Sequence, residues 1–329
     1  MTLIAALRFA CLTFWLACSV TVAASSRAPL DLDGYIDWSG AVTILHRGDF
    51  VDPYFALQAL LLAHENGLDI TEPAGKWINW LMVRQKPDGT FDRFCRAGPV
   101  WLGCKLADTD DALLALWIRL LDTMPASSRT QPAWHVSYSK TQAALRRLLD
   151  PVRGIYSVSP ALQEGLLMDN VEIWSQVTAM GTPDASSAGN TLALAVHRVF
   201  WDRHGQRFLV STQPEHNTLP QTFYPEHVAQ IYPLLFNFPL PDGMQPGSLY
   251  NRWMKQHRHE WLQQTKSDFA WGLIALLALR QGDLQSARCW LRETRTFRRT
   301  RHWTVTDDVV EQILQQKKLT AAGADAVCT

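Results

Sequence analysis

The chain has 329 residues, with 31 Lys+Arg balancing 31 Asp+Glu for a formal net charge of zero, and 47% of its residues are apolar. That apolar share excludes a disordered or low-complexity chain. Zero net charge without a long basic run argues against nucleic acid as the main partner. The 14 tryptophans fit either a large helical core or a cleft that stacks flat ligands on aromatic faces.

Residues 1–24 read as a secretory signal peptide. Arg8 is the sole charge before Arg27, residues 9–26 (FACLTFWLACSVTVAASS) are uncharged, and Val22-Ala23-Ala24 supplies small residues for cleavage near Ala24. The alternative is an uncleaved anchor, because the uncharged stretch is near the spanning limit. Both readings put the rest of the chain in the periplasm or outside the cell, and only the anchor implies a membrane. Cys95, Cys104, Cys289 and Cys328 then sit in an oxidising compartment. Cys95 and Cys104 flank a short Gly/Pro loop (RAGPVWLG) and are expected to form a disulfide. Neither has a C-x-x-C partner or a nearby His for zinc. The pairing of Cys289 with Cys328 stays open.

Helix follows helix from there on. Pro53–Asn66 is apolar almost all round, with Asp52 as its cap, Pro53 at the first helical position and Gly67 as its stop. Pro73–Gln85 ends in the turn KPDGTF. Asp108–Met124 opens with carboxylates and is then apolar on every face. Tyr138–Leu149 is amphipathic, and Met168–Met180 is again apolar on most faces. Asp184–Arg203, Tyr224–Phe236 and Ser248–Gln264 continue the series. Asp268–Gln281 is a buried helix stopped by Gly282, Asp283 caps Leu284–Arg299, and Thr306–Lys318 is the last helix. Strand signals are scarce, Arg207–Thr212 being the best.

Helices buried all round alternate with amphipathic ones. A helix apolar on every face must be covered on every side, which two concentric layers achieve. Roughly 300 residues at about 25 per helix and turn allow about six hairpins. The expectation is an all-α chain, an (α/α)6 toroid of helical hairpins, forming one domain over residues 30–320. An open solenoid is the alternative.

Three acidic groups stand where polar segments enter apolar helices: Asp108-Thr109-Asp110-Asp111, Asp169-Asn170-x-Glu172, and Asp268. Capping explains one Asp at a helix start, not three together. In a toroid these starts gather at one mouth, where carboxylates from distant helices can face each other. Acid/base work on a glycosidic bond needs one protonated carboxyl and one ionised carboxylate. Asp108 or Asp110 is expected as one catalytic group. Asp169 is expected as the other, its apolar setting raising its pKa. Asp111, Glu172 and Asp268 are expected beside them.

The chain resembles the six-hairpin glycosidase superfamily. LADTDDALLALWIRLL is similar to the signature of family 8 glycoside hydrolases, in which an Asp-x-Asp cluster opens an inner helix. LLMDNVEIW resembles an inner-helix start of the unsaturated uronyl hydrolases of families 88 and 105, where an Asp before Asn acts as general acid/base, a role the resemblance assigns to Asp169. FAWGLIALLALRQGDLQSARCWL resembles their last hairpin with its Gly-Asp turn. The resemblance implies a hydrolase acting on a polysaccharide or oligosaccharide without a cofactor. A non-catalytic glycan-binding or secretion accessory protein on the same toroid is the second reading. The third comes from Asp108-Thr109-Asp110-Asp111, which also resembles the D-x-D-D of class II terpene cyclases, with Asp110 as the protonating acid.

A sugar would stack on aromatic faces. Trp101, just before the acidic cluster, and Trp174 are expected at the cleft. Tyr224 and His227 are expected as hydrogen-bonding groups at the same mouth, and Trp117, Trp271 and Trp290 are read as core. His257 and His259 do not share a helix face and read as solvated. No metal site is expected, and G-x-S-x-G, H-E-x-x-H and phosphate-cradling motifs are absent from the sequence.

Overall fold

A computed structural model describes residues 27–179, 181–217, 221–322 and 328. The expected signal peptide lies outside the described residues. The helices are α1 (Pro53–Glu65), α2 (Thr71–Met82), α3 (Asp110–Thr123), α4 (Ala126–Arg129), α5 (Pro132–Leu148), α6 (Leu167–Thr178), α7 (Pro183–Phe200), α8 (Val228–Leu235), α9 (Pro246–Leu262), α10 (Gly272–Arg280), α11 (Leu284–Glu293) and α12 (Val305–Gln316). No helix among the described residues is long and apolar enough to cross a membrane.

The chain is an all-α toroid. Helix α1 touches α3, α3 touches α6, α6 touches α8, α8 touches α10, α10 touches α12, and α12 returns to α1. All but α12 (VTDDVVEQILQQ) have sequences apolar on most faces, because each is covered by ring neighbours on two sides. In α3, for example, every residue from Asp111 to Ile118 is buried. Helices α5, α7, α9 and α11 lie outside, against α3, α6, α8 and α10. The sixth hairpin departs from the expected pattern. Its outer member, among the described residues, is the irregular segment 28–50, which buries Leu30, Leu32, Tyr35 and Val42. That segment is tied to α12 by the Val305 N–H, which donates to the Ile44 carbonyl at 2.8 Å, and by the Asp31 N–H, which donates to Gln312 at 3.0 Å.

Local chemistry sets several helix starts. Asp52 caps α1 by accepting from the Tyr54 N–H at 3.1 Å, with Pro53 at the first position. Asp283 caps α11 through the Ser286 N–H. Thr304 and Asp307 form a reciprocal capping box on α12. Helix α10 begins at Gly272 rather than Asp268, so Asp268 is not its cap.

Strands are short: β1 (Ala28–Pro29), β2 (Phe50–Val51), β3 (Leu68–Asp69), β4 (Asp92–Ala97), β5 (Val100–Leu106), β6 (Trp201–Asp202) and β7 (Arg207–Phe208). The span between Cys95 and Cys104, read from sequence as a loop, is the tip of the β4–β5 hairpin, and β2 pairs with β4. Disulfides join Cys95 to Cys104 and Cys289 to Cys328.

Candidate active site

All of the inner helices present their N-terminal ends to one cavity of about 380 Å³. Asp52 and Tyr54 come from α1, Asp108 and Thr109 from the approach to α3, and Met168 and Asp169 from α6. Tyr224 precedes α8, Asp268 and Trp271 precede α10, and Thr304 and Asp307 open α12. Phe50, Phe55 and Phe269 add apolar wall. Helix N-termini carry partial positive charge, so several converging there offset part of the cost of gathering carboxylates.

Asp169, at the start of α6, is a buried acid lining the cavity. Behind it stands Asp111, a fully buried residue at the start of α3, whose negative charge acts on the Asp169 carboxyl. Oδ2 of each has no hydrogen-bond partner among the described residues. Burial pushes the Asp169 pKa well up, and the negative charges of Asp111 and Glu172 push it further. Burial also raises Asp111, against the Ala112 N–H that donates to its Oδ1 at 2.9 Å. Burial and the neighbouring charges both favour the protonated form of Asp169, the member of the pair that faces the cavity.

Glu172 sits one helical turn below. Tyr54 and Tyr232 each donate a hydroxyl to its Oε1 at 2.5 Å, and Gln58 Nε2 approaches the same oxygen at 3.3 Å. Burial still lifts Glu172 to about 7. Thr306 donates to Gln58 Oε1 at 3.1 Å. Helices α1, α6, α8 and α12 thus share one polar cluster under the cavity floor.

Arg93, from β4, pairs with Asp52 at 3.2 Å and with Asp108 at 2.5 Å. Among the described residues that line the cavity it is the sole cation. The ladder shifts register between Arg93 and Phe94, a bulge of the kind that re-aims a side chain. Asp108 is 84% exposed and does not cap α3, whose N-cap is Thr109. The pKa of Tyr224 is pushed up by burial and then by the charges of Asp169, Asp108, Glu172 and Asp268. Its hydroxyl therefore marks where the acids of separate helices converge. Its ring tilts against Trp271 at 5.1 Å. Trp271 is left-handed (φ 52), a costly conformation for a bulky residue. Its indole N–H donates to Asp268 at 3.3 Å, and its carbonyl accepts from Trp261 at 3.2 Å.

Of the residues singled out in the sequence, Asp108, Asp169, Tyr224 and Asp268 line the cavity. Asp111 and Glu172 lie directly behind it. Asp110 points elsewhere: it is absent from the cavity wall, and burial beside Lys86, Asp88 and Asp92 lifts it to about 6. Trp101 is buried in the hairpin, donating to Asp37 at 2.8 Å under the Arg96 guanidinium. Trp174 packs edge-on against Phe238 at 5.1 Å, away from the cavity. His227 pairs instead with Glu260 at 2.9 Å. Trp117 and Trp290 are core, but Trp271, read as core, lines the cavity. His257, read as solvated, stacks on His227 at 4.1 Å.

Sequence reasoning missed Tyr54, Gln58, Tyr232 and Arg93. A polar residue inside a helix that is otherwise apolar all round was the available signal for the first three. Arg93 carried none, because its hairpin read as a loop.

The sequence matches no described protein family and no curated protein. Its fold does have solved counterparts. An alpha-amylase from Clostridium perfringens superposes with a TM-score of 0.55 at 9% identity, over 87% of this chain and 95% of that one. A GH63 mannosylglycerate hydrolase from Thermus thermophilus, in complex with glucose, gives 0.54 at 11% identity, over 87% and 98%. An uncharacterised conserved protein from the same organism gives 0.53 at 11%, again over 87% and 98%. At these identities the shared property is the toroidal fold.

Proposed function

We propose that this protein is an exported glycoside hydrolase working by carboxylate acid/base catalysis, with Asp169 as the general acid. The observation that carries the reading is a buried carboxyl, Asp169, facing a cavity that Asp108, Asp268 and Tyr224 also line, with Asp111 and Glu172 behind it raising its pKa. In this mechanism Asp169 gives its proton to the glycosidic oxygen as the C–O bond breaks. Asp108, on the approach to the neighbouring helix α3, serves as the second carboxylate, taking a proton from the attacking water or attacking the anomeric carbon itself. Asp111 and Glu172 are positioning residues that keep Asp169 protonated. Phe55, Phe269, Tyr224 and Trp271 supply apolar faces for a sugar ring.

The same lining narrows the substrate. Asp52, Asp108, Asp169, Asp268 and Asp307 meet only Arg93, which is already paired with two of them. A uronate carboxylate would find no cation to receive it. The favoured substrate is therefore a neutral or amino glycan, a departure from the uronyl hydrolases that the sequence resembles. The cyclase reading loses its acid, because Asp110 is not at the cavity. Two disulfides support export, since such bonds persist in oxidising compartments. N-terminal sequencing of the mature protein from its native host tests export, with a start near Ser25 expected.

The functional test is release of new reducing ends from neutral and amino polysaccharides. Asp169→Asn and Asp108→Asn should each cut the rate by at least about 100-fold, while Asp110→Asn stays near wild type. Full activity in Asp169→Asn removes that residue from the mechanism. Glycan binding without turnover in the wild type would favour the accessory-protein reading.

A further inference from the structure

Outside the cavity, a second cluster of donor side chains stands on the far side of the segment that carries Tyr224. His227 ends the turn Phe223–His227, and His257 and Glu260 lie three residues apart on α9, on one helix face. Nδ1 of His227 lies 2.9 Å from Glu260 Oε2, and Nδ1 of His257 lies 3.5 Å from the same oxygen. One ligand atom from each residue falls within 4.8 Å of the others. The two rings are tilted by 33° at 4.1 Å, and it is these imidazoles, rather than a Lys or Arg, that pair with the carboxylate.

We propose that His227, His257 and Glu260 form a binding site for a divalent cation of zinc type. Two imidazoles and one carboxylate are a known zinc donor set, which leaves a fourth position to water. Tetrahedral ligation at bonds of about 2.1 Å puts ligand atoms roughly 3.4 Å apart, between the separations already present. The side chains of His227 and His257 are 18% and 19% exposed and that of Glu260 40%, so solvent reaches the open side.

The site has a structural consequence. The Trp253 indole N–H already holds the His227 carbonyl at 2.7 Å. A cation here would fasten the Tyr224 segment, and with it one wall of the cavity, to the outer helix α9. The inference does not depend on the glycosidase reading, because its readout is metal binding.

The experiment is isothermal titration of tag-free, chelator-treated full-length mature protein with zinc chloride, with thermal unfolding read in parallel. The expected result is one equivalent of zinc bound, with a rise in Tm that a chelator reverses. Loss of an outer-shell partner alone weakens metal sites by about 10–100-fold. His257→Ala and Glu260→Gln, which lose a ligand itself, should each weaken binding at least that much and abolish the Tm rise. If His257→Ala fails to fold, His257→Gln replaces it at the same partly buried position. No stoichiometric uptake by the wild type, or equal uptake by the variants, overturns the proposal.

Discussion

At the scale of single residues, the arrangement at Asp169 makes two predictions. Asp169→Asn removes a buried acid that is costly to ionise, so its loss of sugar release should come without a lower Tm, as fluorescence-monitored unfolding would report. Asp111→Asn removes a negative charge that raises the Asp169 pKa. The acid then loses its proton sooner, and the alkaline limb of the pH–rate profile should move to lower pH. An unchanged limb would mean that Asp111 does not tune the acid. Asp108, Asp169 and Asp268 were legible in the sequence because each stands where a polar segment meets an apolar helix. The tryptophans were not. Trp101 and Trp174 looked accessible and are packed away, whereas Trp271 looked like core and lines the cavity. Ring burial is decided by which neighbours arrive from elsewhere in the chain, and periodicity carries no trace of them.

At the scale of elements, the joint between α10 and α12 holds the cavity floor. Asp307 accepts the Gly272 N–H at 2.7 Å and also closes the capping box with Thr304. A Cβ at Gly272 would lie 2.9 Å from the Trp290 ring and 3.0 Å from Asp307 Oδ1. Helix propensity alone would favour Gly272→Ala by about 0.5–1 kcal/mol, but overpacking costs about 1–3 kcal/mol. A net loss is expected in urea unfolding. A gain would show that the joint can open without cost. Helix existence and order were readable from alternating burial, and caps such as Asp52 and Asp283 were placed correctly. The β4–β5 hairpin was not readable, since neither DRFCRA nor VWLGCKL keeps a strict polar–apolar alternation and Gly98-Pro99 between them marks a loop. Arg93, the cation that pairs with both Asp52 and Asp108, went unseen with it.

At the scale of the molecule, ring closure buries acids that would otherwise be solvated. Glu172 is lifted to about 7, and Asp307 and Asp110 to about 6. A carboxyl with a raised folded pKa binds more protons folded than unfolded. Its contribution to stability is complete below the unfolded pKa near 4 and is lost as pH rises through the folded value, at about 1.4 kcal/mol per unit. His46, His64 and His257, whose pKa values burial lowers, act in the opposite sense below pH 6.5. Tm should therefore be higher at pH 5 than at pH 7, and Glu172→Gln should flatten the dependence. A Tm that climbs toward pH 7 would contradict the buried cluster. The toroid was legible because a closed ring is the economical way to cover so many all-round apolar helices. The irregular segment replacing the sixth outer helix was not, because nothing in residues 28–50 announces which face it covers. The measurement that bears most directly on the function is hydrolysis of a neutral or amino oligosaccharide in ¹⁸O-water, read by mass spectrometry. Wild-type protein should release a sugar carrying one ¹⁸O at its new reducing end, and Asp169→Asn should release almost none. No labelled product from the wild type, or equal product from Asp169→Asn, would contradict a carboxylate-driven glycosidase at this cavity.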